Sequence, residues 1–197
     1  MKLTFTLLLF LILGKASFCE SKGDPVVQKK IKTMIQRSWK WRLEFYKIKD
    51  GGKSAYIESD VIKKMDEADR IVLADAKAII LKYGFPGYSL VGKQSSDSFS
   101  TLIEFFSDKP FRQQVVNLME KEMKRHNASA EDYARVVDSI LFSEGKMQTY
   151  GTHLEVGKSG RLQAKPIQDP QGVDARRKAI GLPSMKDYLK EAQESFN

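Results

Sequence analysis

Through most of this 197-residue chain, apolar residues return at steps of three and four, and from Met147 to Leu182 that rhythm stops. In its place come apolar and polar residues at strand-like spacing, crowded between glycine and proline. Steps of three and four stack side chains on one face of a helix, whereas steps of two line one face of a strand. The expected class is therefore mainly α: a single helical domain, residues 26–197, with a small β-hairpin at 148–167 near its C-terminal end, α+β only in a minor sense.

The helices read in order. Val27, Ile31, Met34, Ile35 and Trp39 mark a first helix, with Asp24 as cap and Pro25 at its first position, running to about Lys47 before Asp50-Gly51-Gly52. Ser59 or Asp60 is expected to cap a second, through Val61, Met65, Val72, Ala76 and Ile80, ended by Gly84. Phe85 to Tyr88 reads as a loop, and a polar stretch from Val91-Gly92 to Asp97 precedes a short helix on Phe99, Leu102, Ile103 and Phe106. Phe111, Val115, Leu118, Met119 and Met123 share a face of the next helix, and Tyr133, Val136, Val137, Ile140 and Leu141 form the stripe of the one after. Thr149 to Val156 and Arg161 to Ile167 are the hairpin arms, joined by Gly157-Lys158-Ser159-Gly160. Val173 to Ile180 gives two helical turns, and Ser184 caps a last helix.

The first nineteen residues stand apart. Lys2 opens a basic start and Leu3 to Leu13 is an uncharged run of eleven, short of the roughly 20 apolar residues a membrane-crossing helix needs. This is the pattern of a secretory signal peptide, residues 1–19, followed by a polar tether at 20–25. The expectation is an exported, periplasmic protein without a transmembrane helix. Lipid anchoring at Cys19 is the less favoured alternative, since bulky Phe18 stands where such sites take a small residue. No cysteine follows position 19, so stability must come without internal disulfides.

Charge narrows the partners. Residues 1–19 carry Lys2 and Lys15 and no acid, so the formal charge falls from +8 to +6 without them, with 31 basic and 25 acidic residues left. These read as scattered among one another, the mark of a solvated surface more than of a polyanion-binding block. Nucleic acid is not an expected partner; an anionic small molecule or an envelope protein is.

Polar residues concentrate in and just after the hairpin. On a strand Gln148, Tyr150 and Thr152 would share one face, and Gly151 would let a group approach the backbone closely. Arg176 or Arg177 could then meet a carboxylate or phosphate in bidentate fashion. The candidate ligand-binding set is Gln148, Tyr150, Thr152, His153, Asp169, Asp174, Arg176 and Arg177. The competing reading is a structural lock, in which Gln, Tyr and Arg bond Asp169 and Asp174 and fix the hairpin on the helices. His153 could act as a general base, but strand alternation turns it away from Gln148 and Tyr150, toward an exposed position. His126, in the basic helix end Lys124-Arg125-His126, suits a C-terminal dipole. Trp39 and Trp41 read as packing, and the sequon Asn127-Ala128-Ser129 as idle in a bacterial setting.

The series Tyr83-Gly84-Phe85-Pro86, Val91-Gly92, Gln148-x-Tyr150-Gly151-Thr152, Pro166-Ile167-x-Asp169-Pro170, Val173-Asp174-x-Arg176-Arg177 and Gly181-Leu182-Pro183 resembles a bacterial family catalogued only as a domain of unknown function. The resemblance spans roughly residues 66 to 189. It implies a bacterial source and a helical domain ending in the hairpin, and no activity. Where that family commonly has Gln-His, this chain has Phe106 in the histidine's place. Its Asp-Gln in the first helix is Ser38-Trp39 here, with Arg42 retained, and His153 stands where a Gln commonly follows Tyr-Gly-Thr.

No reaction is legible. There is no His-Glu-x-x-His, cysteine cluster or calcium-type aspartate loop for a metal, no Gly-x-Ser-x-Gly elbow and no phosphate loop; catalytic residues are unknown and no cofactor or metal is expected. Two classes stay open. One is a non-catalytic binding or interaction module; the other is an extracytoplasmic hydrolase-like enzyme using His153 or Tyr150 with Arg176 or Arg177. The phenylalanine at 106 favours the first.

Overall fold

In a computed structural model of the chain, residues 23–51 and 55–196 are described, and the side chains of residues 50, 51 and 55–57 are not. The expected signal peptide and the first residues of the tether lie outside these. Seven α-helices and one two-stranded antiparallel sheet make up the described residues, so the protein is mainly helical with a small hairpin near its C-terminal end. They divide into two compact units, residues 23–129 and 130–196.

The first unit holds four helices. Helix α1 (Pro25–Gly51) begins as its sequence dictates: the Asp24 carboxylate accepts from the amides of Val26 and Val27 at 2.9 and 3.2 Å. The end of the expected tether is fixed, because the Asp24 amide donates to the Leu90 carbonyl at 2.7 Å. Helix α2 (Ala55–Tyr83) starts four residues before Ser59, so neither Ser59 nor Asp60 caps it. Helix α3 (Tyr88–Phe105) also starts early, and the expected polar stretch is helical. Its polar residues have helical jobs: Lys93 pairs with Asp97 one turn on, and buried Ser96 accepts from the Ser100 hydroxyl through its carbonyl. The irregularity sensed at Val91-Gly92 is a kink, with Gly92 at φ 73°, a conformation only glycine takes cheaply. Phe106 sits at the C-terminal cap of α3, buried beside Phe111.

Helix α4 (Lys109–Lys124) is capped by Asp108, which accepts from the Phe111 amide at 3.0 Å. Its buried face carries Arg112 and Val116 in place of Leu118 and Met123, which are half-buried. Helix α1 packs on α2 and α3, and α3 on α4. Ile31, Met34, Val72, Phe99, Leu102 and Met119 lie at the centre of this unit.

The second unit is smaller and less regular. Helix α5 (Ala130–Ser143) is followed by strands β1 (Leu154–Val156) and β2 (Leu162–Ala164), helix α6 (Val173–Ala179) and helix α7 (Met185–Phe196). The strands pair with Leu154 opposite Ala164 and Val156 opposite Leu162. They are shorter than the expected arms, because residues 149–153 leave the ladder. Before them, Gln148 forms a lone parallel bridge with Ile167. Helix α7 packs on β2 and on α6. Its Ser184 cap is as expected, accepting from the Asp187 amide at 3.2 Å. The α5 stripe differs from its expected set: Tyr133, Val137 and Leu141 are half-buried, while Ala134, Val136, Ile140 and the polar Asp138 and Ser139 are buried.

Candidate functional site

The polar cluster of the second unit is built around the segment Thr149-Tyr150-Gly151-Thr152, whose backbone has no ladder partner. Buried backbone groups must find partners elsewhere. Its amides turn inward onto Asp138 of α5, which is fully buried. Thr149 and Tyr150 donate their amides to Asp138 Oδ1 at 2.7 and 3.0 Å, and Thr152 donates amide and hydroxyl to Oδ2, both at 2.9 Å. Hydrogen bonds from amides to a carboxylate are short and stronger than those between neutral groups. The loop is thus an anion nest already filled by the chain's own carboxylate.

The carbonyls of the same segment meet the arginines of α6. Arg176 Nε donates to the Thr149 carbonyl at 2.9 Å, and its Nη2 donates to those of Gln168 and Asp169 at 2.6 and 2.8 Å. A longer contact of 3.2 Å joins its Nη1 to Asp169 Oδ2. Arg177, 1% exposed, donates to the Tyr150 carbonyl at 2.8 Å and the Pro183 carbonyl at 2.7 Å. Its guanidinium lies over the Tyr188 ring, 4.6 Å from the centroid. Burial disfavours the Arg177 charge and lowers its pKa from the ordinary value, with Tyr188, Asp174 and Asp138 pulling the other way. The Tyr188 hydroxyl donates to the Thr152 carbonyl at 3.1 Å, and burial raises its pKa.

Gln148 closes the base of the hairpin. Its Nε2 donates to the carbonyls of His153 and Lys165, at 3.1 and 3.0 Å, and its Oε1 accepts from the His153 amide at 2.6 Å. One side chain therefore joins both arms where the ladder has opened. Asp174 Oδ1 accepts from the Met185 amide at 2.7 Å, tying α6 to the start of α7. Gly151, at φ 74°, is needed twice over: a Cβ there would lie 2.7 Å from Ile167 Cδ1 and 2.9 Å from Met185 Sδ.

This geometry corrects the shared-face expectation. Gln148, Tyr150 and Thr152 do not line one face of a strand, since extended pairing starts only at Leu154. Gln148 turns into the hairpin, the Tyr150 ring meets Tyr133 at 6.2 Å between centroids, and the Thr152 hydroxyl faces Asp138. Nor is His153 an exposed residue. It is half-buried, with its ring stacked on Phe142 at 5.6 Å and 18° between planes. The group approaching Gly151 belongs to the chain itself. Asp138, the anion at the centre, was missed, although an acid inside the run Val136-Val137-Asp138-Ser139-Ile140 is a signal that could have found it.

A second arrangement lies in the same unit. Between the hairpin loop, β2 and α7 runs an open groove of about 580 Å³ with Leu162 and Leu189 in its wall and Arg161, Lys186 and Lys190 along it. Lys190 is 4.0 Å from Glu194, and among the described residues neither Arg161 nor Lys186 is in an ion pair. The Leu162 amide, on the outer edge of β2, donates to Gln193 Oε1 at 2.8 Å.

In the first unit, Arg42 forms a fork on Asp69 at 2.8 and 2.6 Å and also donates to the Ser38 carbonyl and hydroxyl. It stacks 4.0 Å from the Phe105 centroid, against which Trp39 packs edge-on. Among the described residues, no group of three or more His, Cys, Asp or Glu is placed to hold a metal ion. No described helix is long and apolar enough to cross a membrane.

No curated protein and no solved structure matches the chain. One family profile does, over residues 30–197, reaching back into α1 beyond the stretch marked by the sequence motifs. The chain belongs to that family, a family of unknown function designated DUF6624.

Proposed function

We propose that this is an exported, periplasmic bacterial protein acting as a non-catalytic binding module. In this reading the groove between β2 and α7 takes an anionic group, carried by a small molecule or by an acidic segment of an envelope protein. One observation carries it: the polar side chains around Thr149–Thr152 are spent on the chain's own backbone, whereas Arg161 and Lys186 border an open groove without ion pairs among the described residues. The groove favours side-chain recognition over strand addition, because Gln193 already occupies the outer Leu162 amide. Export is supported by the basic start and the eleven-residue apolar run.

The catalytic alternative asks Arg176 or Arg177 to steady developing charge while His153 or Tyr150 moves a proton. The donors of both arginines that it would use are engaged with carbonyls, Arg176 with three and Arg177 with two. That engagement favours the binding reading.

Thermal unfolding with citrate, inorganic phosphate and a heptaglutamate peptide tests it. A ligand at one hundred times its Kd stabilises the native state by about 2.7 kcal/mol. At least one of these anions should raise Tm, and Arg161→Gln with Lys186→Gln should abolish the rise while leaving the unliganded Tm in place. No rise with any of them, or a rise that the double variant keeps, would sink the groove.

A further inference from the structure

Beyond position 19 the chain has 31 basic and 25 acidic residues, and α1 holds eight of the first and two of the second. The remaining 23 basic residues are matched by 23 acidic ones. The whole formal excess of +6 therefore sits on one helix, which corrects the expectation of a scattered charge.

Winding the helix sorts these residues by role. Three of the eight are used inside the unit: Lys30 pairs with Asp75 at 2.7 Å, Arg42 with Asp69, and Lys49 with Glu58 at 2.6 Å. Among the described residues Lys29, Lys32, Arg37 and Lys40 are in no ion pair, and Lys47 is a loose 3.7 Å from Glu44. On the solvent side Lys29, Thr33, Gln36, Lys40, Leu43 and Lys47 follow one another at steps of four, three, four, three and four, all exposed, with Lys32 beside them. Such steps make a straight stripe. At 1.5 Å per residue it is about 27 Å long. No acid interrupts it. Leu43 lies within the row, and exposed Val26 and Tyr46 stand near its ends.

We propose that this face of α1 docks on an anionic lipid surface. This goes beyond the groove reading, and it rests on other residues in the other unit. A straight row suits a flat surface. Apart from half-buried Arg37 beside the row, its free cations are lysines, point charges on long stems, which match a diffuse layer of headgroups. A phosphodiester backbone would be better held by the fork of an arginine. The apolar side chains decide further: Leu43 within the row and Val26 one turn before Lys29 gain by burial at headgroup depth, and have nothing to gain against a phosphate ribbon.

Co-sedimentation of the full chain with phosphatidylglycerol–phosphatidylcholine vesicles, and with phosphatidylcholine vesicles alone, at low salt tests the proposal. The readout is the ratio of the two partition coefficients, so apolar contacts made by the Leu3–Leu13 run cancel. Replacing Lys29, Lys32, Lys40 and Lys47 by Gln, which has similar helix propensity, should lower that ratio by about 1,000-fold. Removing the same number of charges elsewhere, at Lys109, Lys121, Lys158 and Lys178, should leave it within a few fold. Melting curves of both variants should match the wild type, since all eight side chains are exposed. Equal falls in the two variants, or a wild-type ratio near one, would overturn the proposal. So would tighter binding to a DNA duplex than to the anionic vesicles, lost in the α1 variant, because the stripe would then read a polyanion of another kind.

Discussion

Two clusters of charged side chains, one in each unit, are used differently. In residues 23–129 the long helices satisfy their own backbone, so a buried charge is free to meet another side chain, as Arg42 meets Asp69. In residues 130–196 the chain runs through 149–153 and 166–169 without a full ladder, and Asp138, Gln148, Arg176 and Arg177 spend themselves on main-chain groups. In these two clusters buried charge goes mainly to side chains where secondary structure is complete, and to the backbone where it is not. One consequence is practical. A pair of side chains can be replaced together, whereas a backbone amide stays under every substitution except proline.

The strongest test of this contrast is Asp138→Ala. Three amides and one hydroxyl lose their acceptor inside a sealed site, and each unsatisfied group costs about 1–3 kcal/mol. A loss of at least about 3 kcal/mol in chemical denaturation is expected, and no second substitution within the loop should restore it. A loss below about 1 kcal/mol would mean that water can take the carboxylate's place, and the filled nest would lose its meaning.

Arg42 sharpens the other side of the comparison. Arg42→Met alone leaves Asp69 facing an apolar contact with Phe105 nearby, and should cost about 2–3 kcal/mol. Adding Asp69→Leu should return stability to within about 1 kcal/mol of the wild type, since a buried ion pair and a well-packed apolar pair are often close in free energy. If the double variant were no better than the single one, the Ser38 hydrogen bonds would have to matter more than the pair itself.

Much of this was legible in the residues, for reasons that can be named. Asp24 before Pro25, Ser184 before Met185 and the glycines around Lys158-Ser159 act through neighbours in sequence, and each does what its local chemistry demands. The start of α3 was not legible, because Lys93, Ser96 and Asp97 look like a loop until the helix is packed and Ser96 is buried. Gln148, Tyr150 and Thr152 misled because alternation was applied before the strand begins at Leu154. Asp138 hid in an apolar stripe, where its partners lie eleven to fourteen residues away and nothing local announces them. The charge on α1 was present in the composition all along. It needed the helix limits before counting could expose it.

The smallest effect in this set belongs to Tyr188, and it probes the carbonyl side of the same loop. Its hydroxyl donates to the Thr152 carbonyl, and Tyr188→Phe should cost about 1 kcal/mol at neutral pH. Burial, with Glu131 nearby, raises the folded-state pKa above the ordinary tyrosine value, while the charge of Arg177 works against the shift. The folded chain then holds the phenolic proton more tightly than the unfolded chain does. The stability this contributes is complete below the unfolded pKa of about 10 and is lost as pH rises through the folded value. The gap in Tm between wild type and Tyr188→Phe should therefore be constant from neutral pH to about 9 and narrow above about 10. Parallel curves to the highest usable pH would show that the hydroxyl meets water as readily as it meets Thr152. The carbonyls of this loop would then hang on the two arginines alone.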